Sequence, residues 1–242
     1  MIRYHTIPST PKLRAAMQAG ILDAMTGPYQ GNVLPPCVWA ADNGKFTKDG
    51  PRKNWLGVRK WYEWLEGQVA RYGADTCRFA VAPDVPLDAE ATLRESAPWL
   101  AKIRELGIPA AFAAQNGCDL NRLPWDDLDV LFLAGGPERS GDPRSEWKLG
   151  PVARRLAQQA RDLGKSVHMA RVNSRRRMRI AETYGCQSAD GTFLAWAPDI
   201  NLERITRVWL ADMDQRPALT SLLTEDWPTT NHRTPCTNGT MA

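Results

Sequence analysis

The sequence predicts an α/β fold, a single compact TIM-like (β/α)8 barrel, and three observations lead to this prediction. Short apolar segments alternate with helical patterns along the chain, which favours a mostly parallel sheet. No G-x-G-x-x-G or Walker sequence follows these segments, so the common nucleotide-binding open sheets lose their main signature. Polar residues recur directly after the apolar segments, where barrel active sites are built.

Seven apolar segments are short enough to be buried strands, and six helical patterns lie between or after them. The predicted strands are residues 2–7, 37–41, 78–82, 110–114, 130–134, 166–170 and 191–195. The predicted helices are residues 11–19, 55–72, 88–106, 147–163, 174–184 and 201–212. Right-handed crossovers between parallel strands would wind these elements into a barrel over residues 1–212. We expect residues 213–242 to be a flexible tail and residues 137–146 to form a surface loop or a lid.

Composition is that of an ordinary globular domain, with 43% hydrophobic and 24% charged residues. The 31 Lys and Arg against 27 Asp and Glu give a net charge of +4, so attraction to nucleic acid must come from local clustering. No apolar run approaches the ~18 residues of a membrane span, and the first residues lack a signal-peptide pattern. We therefore expect a cytoplasmic protein with no membrane partner.

The cysteines are five in number and scattered, without a C-x-x-C pair. This spacing argues against a disulfide framework and against a structural zinc knuckle. We expect no metal site.

A basic cluster occupies one short segment and consists of Arg171, Arg175, Arg176 and Arg177. A carboxylate, Asp190, follows it beside Gly191. The segment is suited to grip a phosphate backbone and to present a nucleophile. Taken alone, the segment is more typical of a solvated helix followed by an Asp-Gly turn.

Further polar residues and glycines follow the other predicted strands, and a barrel would bring them to one rim. They are Asp42, Asp84, Gln115, Gly135 and Gly136. Separately, each acid is an ordinary turn residue or helix cap. Together they indicate an active site.

Two carboxylates that flank a sugar carbon can exchange a glycosidic bond, one as nucleophile and the other as the group that handles protons. Asp190 and Asp42 are the candidates for these roles. Asp84, Gln115 and the backbone N–H of Gly136 suit the donor and acceptor edge of guanine. Phe46 and Met169 are candidates to sandwich the ring, although such residues beside a strand are also typical of a core.

The same residues resemble the queuine-type tRNA-guanine transglycosylases. Ala41-Asp42-Asn43-Gly44-Lys45-Phe46 is similar to the motif with that family's proton-handling aspartate, and Asp84 matches its guanine-reading aspartate. Gln115 with Gly117 matches its Gln-Gly pair, and Gly135 with Gly136 its glycine pair. Met169 matches its stacking methionine, and Asp190 its nucleophile.

A closer resemblance is to the compact, phage-encoded deoxypurine-in-DNA transglycosylases (the DpdA type). It rests on the runs D-N-G-x-F, H-M-x-R-V-N-S and S-x-D-G-T within residues 40–192. The resemblance implies a TIM-like barrel that replaces guanine in DNA with a free 7-deazaguanine, such as 7-cyano-7-deazaguanine (preQ0). It implies no further cofactor. The tRNA enzymes carry a Cys-x-Cys-x-x-Cys and His zinc site after the nucleophile, where this chain has His232 and Cys236. We therefore expect no zinc subdomain.

The expected reaction is a double displacement through a glycosyl-enzyme on Asp190, with Asp42 deprotonating the incoming base. Arg171, Arg175, Arg176 and Arg177 would neutralise phosphates beside an unstacked target nucleotide, with or without a helper protein that opens the duplex. Three alternatives stay open. They are a non-catalytic nucleic-acid-binding protein that uses the arginines, a barrel enzyme acting on a small phosphorylated compound, and a transglycosylase acting on tRNA.

Overall fold

The strands of the barrel come from every part of the chain that the structure describes. The computed structural model describes residues 2–47, 50–137 and 146–210; the predicted tail and residues 138–145 of the predicted loop lie outside these ranges. In chain order the strands are β1 (Arg3–Thr6), β2 (Asp23–Thr26), β3 (Trp39–Ala41), β4 (Phe46–Thr47), β5 (Gly50–Pro51), β6 (Cys77–Val81), β7 (Ala110–Ala114), β8 (Val130–Leu133), β9 (Ser166–Met169) and β10 (Ser188–Asp190).

Eight of these strands are parallel and close into one barrel in the spatial order β1-β10-β9-β8-β7-β6-β3-β2. β1 pairs with both β10 and β2, which completes the circle. β4 and β5 form a separate antiparallel hairpin. The predicted TIM-like (β/α)8 barrel is therefore confirmed. Its carboxyl-terminal rim carries the ends of all eight strands, so residues that follow different strands can meet there.

Helices surround the barrel, and several begin with the capping chemistry that their sequences predict. They are α1 (Pro11–Gln18), α2 (Val58–Tyr72), α3 (Ala89–Glu105), α4 (Pro151–Asp162), α5 (Arg175–Thr183) and α6 (Pro198–Arg204). The side chains of Thr10, Asp88 and Ser174 accept hydrogen bonds from backbone N–H groups in the first turns of α1, α3 and α5. α6 continues as a π-helix over Ile205–Leu210.

The alternation of side chains along the strands creates two apolar layers. One layer fills the barrel interior, where Phe79 and Phe132 pack with small residues such as Ala111. The other lies between the strands and the helices and includes Tyr4 and Leu100. No helix in the described part of the chain combines the length and apolar character that a membrane span requires.

Two strands of the barrel differ from the sequence prediction, and the short strands β4 and β5 were not predicted. β2 was missed because Asp23 interrupts its apolar pattern. In the structure, ion pairs with Arg3 at 2.5 Å and Arg78 at 2.9 Å compensate the buried negative charge of Asp23. The last strand is Ser188–Asp190 and not residues 191–195, since Phe193–Ala195 forms a 3-10 turn. Asp190 therefore ends a strand, directly at the rim.

Two helices also differ. The predicted helix at 147–163 is interrupted: Trp147–Leu149 is a 3-10 turn, and α4 starts after Gly150 with Pro151. The predicted helix at 201–212 begins earlier, at Pro198, and its last two residues lie outside the described ranges.

Candidate active site

A cavity of about 570 Å³ opens at the carboxyl-terminal rim of the barrel. It is lined by residues that follow β1, β3, β6, β7, β9 and β10, so its wall is assembled from distant parts of the sequence. Its predicted site residues are Asp42, Phe46, Asp84, Gln115, Arg171 and Asp190. The rim expected from the sequence thus brings six site residues into one cavity.

Asp190 presents an ionised carboxylate to the cavity. Its Oδ1 lies 3.0 Å from Nε2 of His168 and 3.4 Å from the backbone N of Arg171. Burial alone would raise the pKa of Asp190, but the hydrogen bond from His168, together with the nearby Lys148 ammonium, lowers it overall. A carboxylate that stays ionised beside an open cavity is suited to act as a nucleophile.

His168 fixes the position of the Asp190 carboxylate through a hydrogen bond. Its Nδ1 lies 2.8 Å from Oγ of Ser188, and its ring stacks on Phe132 with centroids 4.7 Å apart. Burial lowers the pKa of His168, so the ring is neutral. The hydrogen-bond partners then assign the proton to Nε2, which donates to Asp190, while Nδ1 accepts from the Ser188 hydroxyl.

Asp42 has the opposite character. It follows β3, and its carboxylate accepts hydrogen bonds from the backbone N–H groups of Asn43 and Gly44. Burial raises its pKa to about 7, and repulsion from Asp190 and Asp84 adds to the shift. Asp42 can therefore exchange a proton near neutral pH. The surroundings of the two catalytic candidates therefore give them different protonation behaviour. Asp42 can gain and lose a proton, whereas Asp190 stays charged.

Asp84 and Gln115 form a buried hydrogen-bonded pair. Gln115 Nε2 donates to Asp84 Oδ2 at 2.5 Å, and Asn43 Nδ2 donates to Asp84 Oδ1 at 2.8 Å. Gln115 Oε1 accepts from the backbone N–H of Leu87 at 3.0 Å. Burial raises the pKa of Asp84, although these donors oppose the rise. Each Asp84 oxygen and the second amide N–H of Gln115 keep capacity for a ligand.

Phe46 and Arg171 flank the mouth of the cavity. The Arg171 guanidinium lies 4.6 Å from the centre of the Phe46 ring and donates to the carbonyl oxygens of Ala134 and Gly135. Arg171 has a left-handed backbone, φ 57°, which turns the chain between β9 and α5. Its side chain lines the cavity and is not part of an exposed basic helix.

A layer of four rings on β1, β6, β8 and β9 packs inside the barrel, and two of them, His5 and Phe132, line the cavity. His5 and Phe79 lie beside His168, with ring centroids 5.4 Å and 4.9 Å from it. Burial lowers the pKa of His5 to about 3, so this ring is neutral as well. This layer is apolar except for the imidazole nitrogens, which favours a planar ligand above it.

Met169 does not take the predicted stacking position. Its side chain is fully buried in the apolar layer between barrel and helices. Neighbouring residues of a strand face opposite sides, so when His168 points into the barrel Met169 must point outward. Ala170 lines the cavity instead.

Gly135 and Gly136 also serve a purpose other than the predicted one. A Cβ on Gly135 would lie 2.3 Å from the Trp147 ring, so this glycine is required by packing. The Gly136 N–H, expected to meet the base, donates to Asn116 Oδ1 at 2.8 Å. Neither glycine lines the cavity of the described structure.

The remaining arginines divide into two kinds. Arg175 and Arg176 are exposed on the first turn of α5. Arg177 donates to Glu146 at 2.5 Å and to the Arg171 carbonyl at 3.0 Å, so it fastens α5 to the rim. Exposed Arg176 is the clearest candidate for a phosphate contact.

Sequence reasoning gave no role to several residues that shape the site. His168 and Asn43 were part of quoted motifs without a function, and Lys148 was hidden inside a predicted helix. Lys148 is buried, its Nζ lies 3.4 Å from Glu146, and burial and Arg171 lower its pKa to about 7. A histidine on an apolar strand directly before the basic segment was the one available signal for His168. Nothing in the sequence indicated the other two.

No group of three or more His, Cys, Asp and Glu side chains within residues 2–47, 50–137 and 146–210 is placed to hold a metal ion. His232 and Cys236, the two residues considered for zinc, lie outside these ranges.

Comparison with known proteins supports the fold alone. Neither a family model nor a curated protein matches the chain. Among solved structures, the Amycolatopsis orientalis BexX/CysO complex is similar with a TM-score of 0.57 and 16% identity, over 94% of this chain and 93% of that chain. The YdjI aldolase from Escherichia coli K12 has a TM-score of 0.48 and 14% identity, over 90% and 82% of the chains. At such identities neither likeness bears on activity.

Proposed function

We propose that this protein is a DNA-guanine transglycosylase, which exchanges guanine in DNA for a 7-deazaguanine such as 7-cyano-7-deazaguanine. One observation carries the proposal. Asp190 and Asp42 line one cavity with their pKa values shifted in opposite directions, beside the hydrogen-bonded pair Asp84 and Gln115. Base exchange at a sugar carbon requires a nucleophile, a proton-handling group and a base-reading edge.

In the first half of the reaction, the Asp190 carboxylate attacks the anomeric carbon of a deoxyguanosine. The glycosidic bond to guanine breaks, and an ester bond to Asp190 forms through an oxocarbenium-like transition state. Protonated Asp42 gives its proton to the departing guanine. The cavity then holds a covalent glycosyl-enzyme, free guanine and an Asp42 carboxylate.

In the second half, the incoming deazapurine replaces guanine. Asp42 removes the proton from the ring nitrogen, that nitrogen attacks the anomeric carbon, and Asp190 leaves as a carboxylate. Two inversions retain the configuration at the sugar. A pKa of about 7 lets Asp42 serve in both directions near neutral pH.

Base recognition falls to the Asp84 and Gln115 pair. Asp84 oxygens accept from N–H groups of the purine, and the spare N–H of Gln115 donates to its carbonyl. Phe46 lies at the mouth, and the rings of His5 and Phe132 line the cavity. Guanine and 7-deazaguanines share this hydrogen-bonding edge, so one pocket can accept both.

DNA is the proposed polymer because of the sequence resemblance and the arginines near the mouth. Arg176 is exposed at the start of α5, and Arg171 lines the cavity itself. The target base must be unstacked, at a cost of a few kcal/mol, before Asp190 can reach its sugar. Contacts with the flanking phosphates offset that cost.

The test is base exchange. Guanine-containing DNA and tRNA are incubated in competition with the enzyme and labelled 7-cyano-7-deazaguanine, and label is measured in each polymer. We expect label in DNA, with none above background for the Asp190→Asn variant. Label in tRNA alone would favour the tRNA alternative. Arginine-dependent DNA binding that is indifferent to Asp42, Asp84 and Gln115, without exchange, would favour the non-catalytic alternative.

A further inference from the structure

Trp196 is the most exposed large apolar side chain among the residues that the structure describes. It is 72% exposed, ahead of Ile200 at 59%. An indole of this size usually buries most of its surface, so its position in solvent calls for an explanation.

The backbone around Trp196 fixes this exposure. The 3-10 turn Phe193–Ala195 precedes it, and the buried Asn201 side chain donates to the carbonyl oxygens of both Phe193 and Trp196. Ala197 follows in a left-handed conformation, φ 53°, which a residue with a Cβ rarely adopts. The chain is thus held in a strained turn that points the indole outward, and such strain is typical of functional positions.

The same segment borders the cavity. Gly191, Thr192 and Ala195 line it, and Trp196 is the next residue beyond this wall. The ring of Phe193 packs on Trp209 with centroids 4.4 Å apart, which anchors the segment to the π-helix. The exposed indole is therefore a fixed feature of the rim, close in sequence to Asp190.

We propose that Trp196 is a stacking platform for a nucleobase adjacent to the target nucleotide in single-stranded or locally opened DNA. The inference rests on the proposed function and adds a second base-binding position outside the cavity. Every base has a π-face, so an exposed indole binds it with little sequence preference. Arg176, exposed on the same rim, supplies the positive charge that a nucleotide strand requires.

The surroundings favour a base over a protein partner. Glu203 and Arg204 are exposed on α6, and Asp199 forms an ion pair with Lys12 of α1 at 3.4 Å. Charged side chains therefore alternate with Trp196 and Ile200 along this segment of the chain. Protein interfaces of the stable kind have an apolar core depleted of charges.

The test compares Trp196→Ala and Trp196→Phe with a matched control, Ile200→Ala, which truncates an exposed apolar residue on the following helix, α6. Binding is measured by fluorescence anisotropy with a labelled single-stranded oligonucleotide that contains one guanine. Two further oligonucleotides carry an abasic site directly 5′ or 3′ of that guanine. Sedimentation velocity reports the oligomeric state of each variant.

We expect Trp196→Ala to raise the Kd about tenfold on the intact oligonucleotide, Trp196→Phe to raise it less, and Ile200→Ala to leave it unchanged. On one abasic oligonucleotide the Trp196→Ala effect should vanish, because the stacked base is already absent. Unchanged binding by Trp196→Ala, an equal loss on all three oligonucleotides, or no DNA binding by the wild type would overturn the proposal. A change from dimer to monomer in Trp196→Ala would assign the indole to a second copy of the chain.

Failure of this inference is distinguishable from failure of the proposed function. If the wild type exchanges bases while Trp196→Ala binds normally, the stacking position is wrong and the transglycosylase proposal stands. If Trp196 governs binding but no base exchange occurs, the stacking position stands and the transglycosylase proposal is wrong.

Discussion

At the scale of single residues, the proposed chemistry depends on a difference between two aspartates. Asp190 is hydrogen-bonded to His168 and has a lowered pKa, whereas Asp42 has a raised pKa because it is buried and is repelled by two carboxylates. The same residue type thus takes two roles because its surroundings differ. Asp84 takes a third, since its oxygens are held by the amides of Asn43 and Gln115.

His168 is expected to position Asp190 and to keep it ionised. His168→Phe retains the stacking on Phe132 but removes the N–H donor, so the pKa of Asp190 should rise. We predict a fall in base exchange of about 100-fold, with the acid limb of the kcat/KM profile moved to higher pH. His168→Gln, which restores a donor, should recover part of the rate. An unmoved acid limb in His168→Phe would contradict this role.

Asp42 is also expected to make the stability of the folded protein depend on pH. The pKa of Asp42 is about 7 in the folded protein and about 4 in the unfolded chain. Between these pH values the folded protein keeps a proton on Asp42 that the unfolded chain has lost. Stability therefore falls as pH rises through that window.

Asp42→Asn removes this penalty. We predict that the variant is more stable than the wild type by about 2 to 4 kcal/mol at pH 8, and that the difference largely disappears at pH 4. Urea unfolding at both pH values measures it. Asp199→Asn, at an exposed ion pair, is the control and should show no such dependence. An equal effect of Asp42→Asn at both pH values would argue against a raised pKa.

At the scale of secondary structure, the end of β10 determines where Asp190 points. A Cβ on Gly191 would lie 2.4 Å from both the Tyr4 hydroxyl and Asn173 Oδ1, and 2.8 Å from the Val172 carbonyl oxygen. Tyr4 of β1 also donates to that carbonyl at 2.9 Å, and the Val172 N–H donates to the Asp190 carbonyl at 2.6 Å, so the loop after β9 is held against both β1 and β10.

Gly191→Ala is therefore expected to destabilise the protein by about 1 to 3 kcal/mol and to reduce exchange, because the clash displaces the residue after the nucleophile. Gly67→Ala is the matched control. Gly67 lies within α2 with nothing within 4 Å of the added Cβ, so its replacement should stabilise by about 0.5 to 1 kcal/mol. Thermal unfolding and the exchange assay measure both variants. A Gly191→Ala variant with unchanged stability and unchanged exchange would mean that this part of the rim adjusts to the added methyl group.

The elements also explain which features the sequence could predict. Six predicted strands were found because their sequences carry short apolar segments between helical patterns, and Asp42, Asp84 and Gln115 converge because they follow such strands. β2 was missed because ion pairs across the barrel, invisible in the sequence, offset Asp23.

The wrong site predictions have a similar origin. Met169 was assigned to the base by motif, but strand alternation turns it outward. Gly136 was assigned by its small size, but Asn116 occupies its N–H. The importance of His168 depends on register, since β9 and β10 place it opposite Ser188.

At the scale of the whole molecule, exposed arginines lie at both ends of the barrel. Arg176 lies at the start of α5, on the rim with the cavity, whereas Arg71 lies in the last turn of α2, at the opposite end. The net charge is only +4, so the placement of charge decides where a nucleic acid binds.

Because Arg176 and Arg71 lie at opposite ends, the two substitutions that remove one of them are expected to change the salt dependence of DNA binding differently, although they change the net charge equally. Arg176→Gln should reduce the slope of log K against log salt concentration by about one, because one phosphate contact is lost. Arg71→Gln should leave the slope unchanged. Titrations with single-stranded DNA at several salt concentrations measure both slopes. Equal slopes for the two variants would place the nucleic acid elsewhere.

The central claim is that Asp190 forms a covalent bond to the sugar during base exchange. The most direct measurement is intact mass spectrometry of the enzyme with a guanine-containing oligonucleotide, in the absence of an incoming base and with released guanine removed. We predict a species with the mass of protein plus oligonucleotide minus guanine, mapped by peptide analysis to Asp190 and absent in Asp190→Asn. Base exchange by the wild type without this adduct, or the same adduct in Asp190→Asn, would contradict the account.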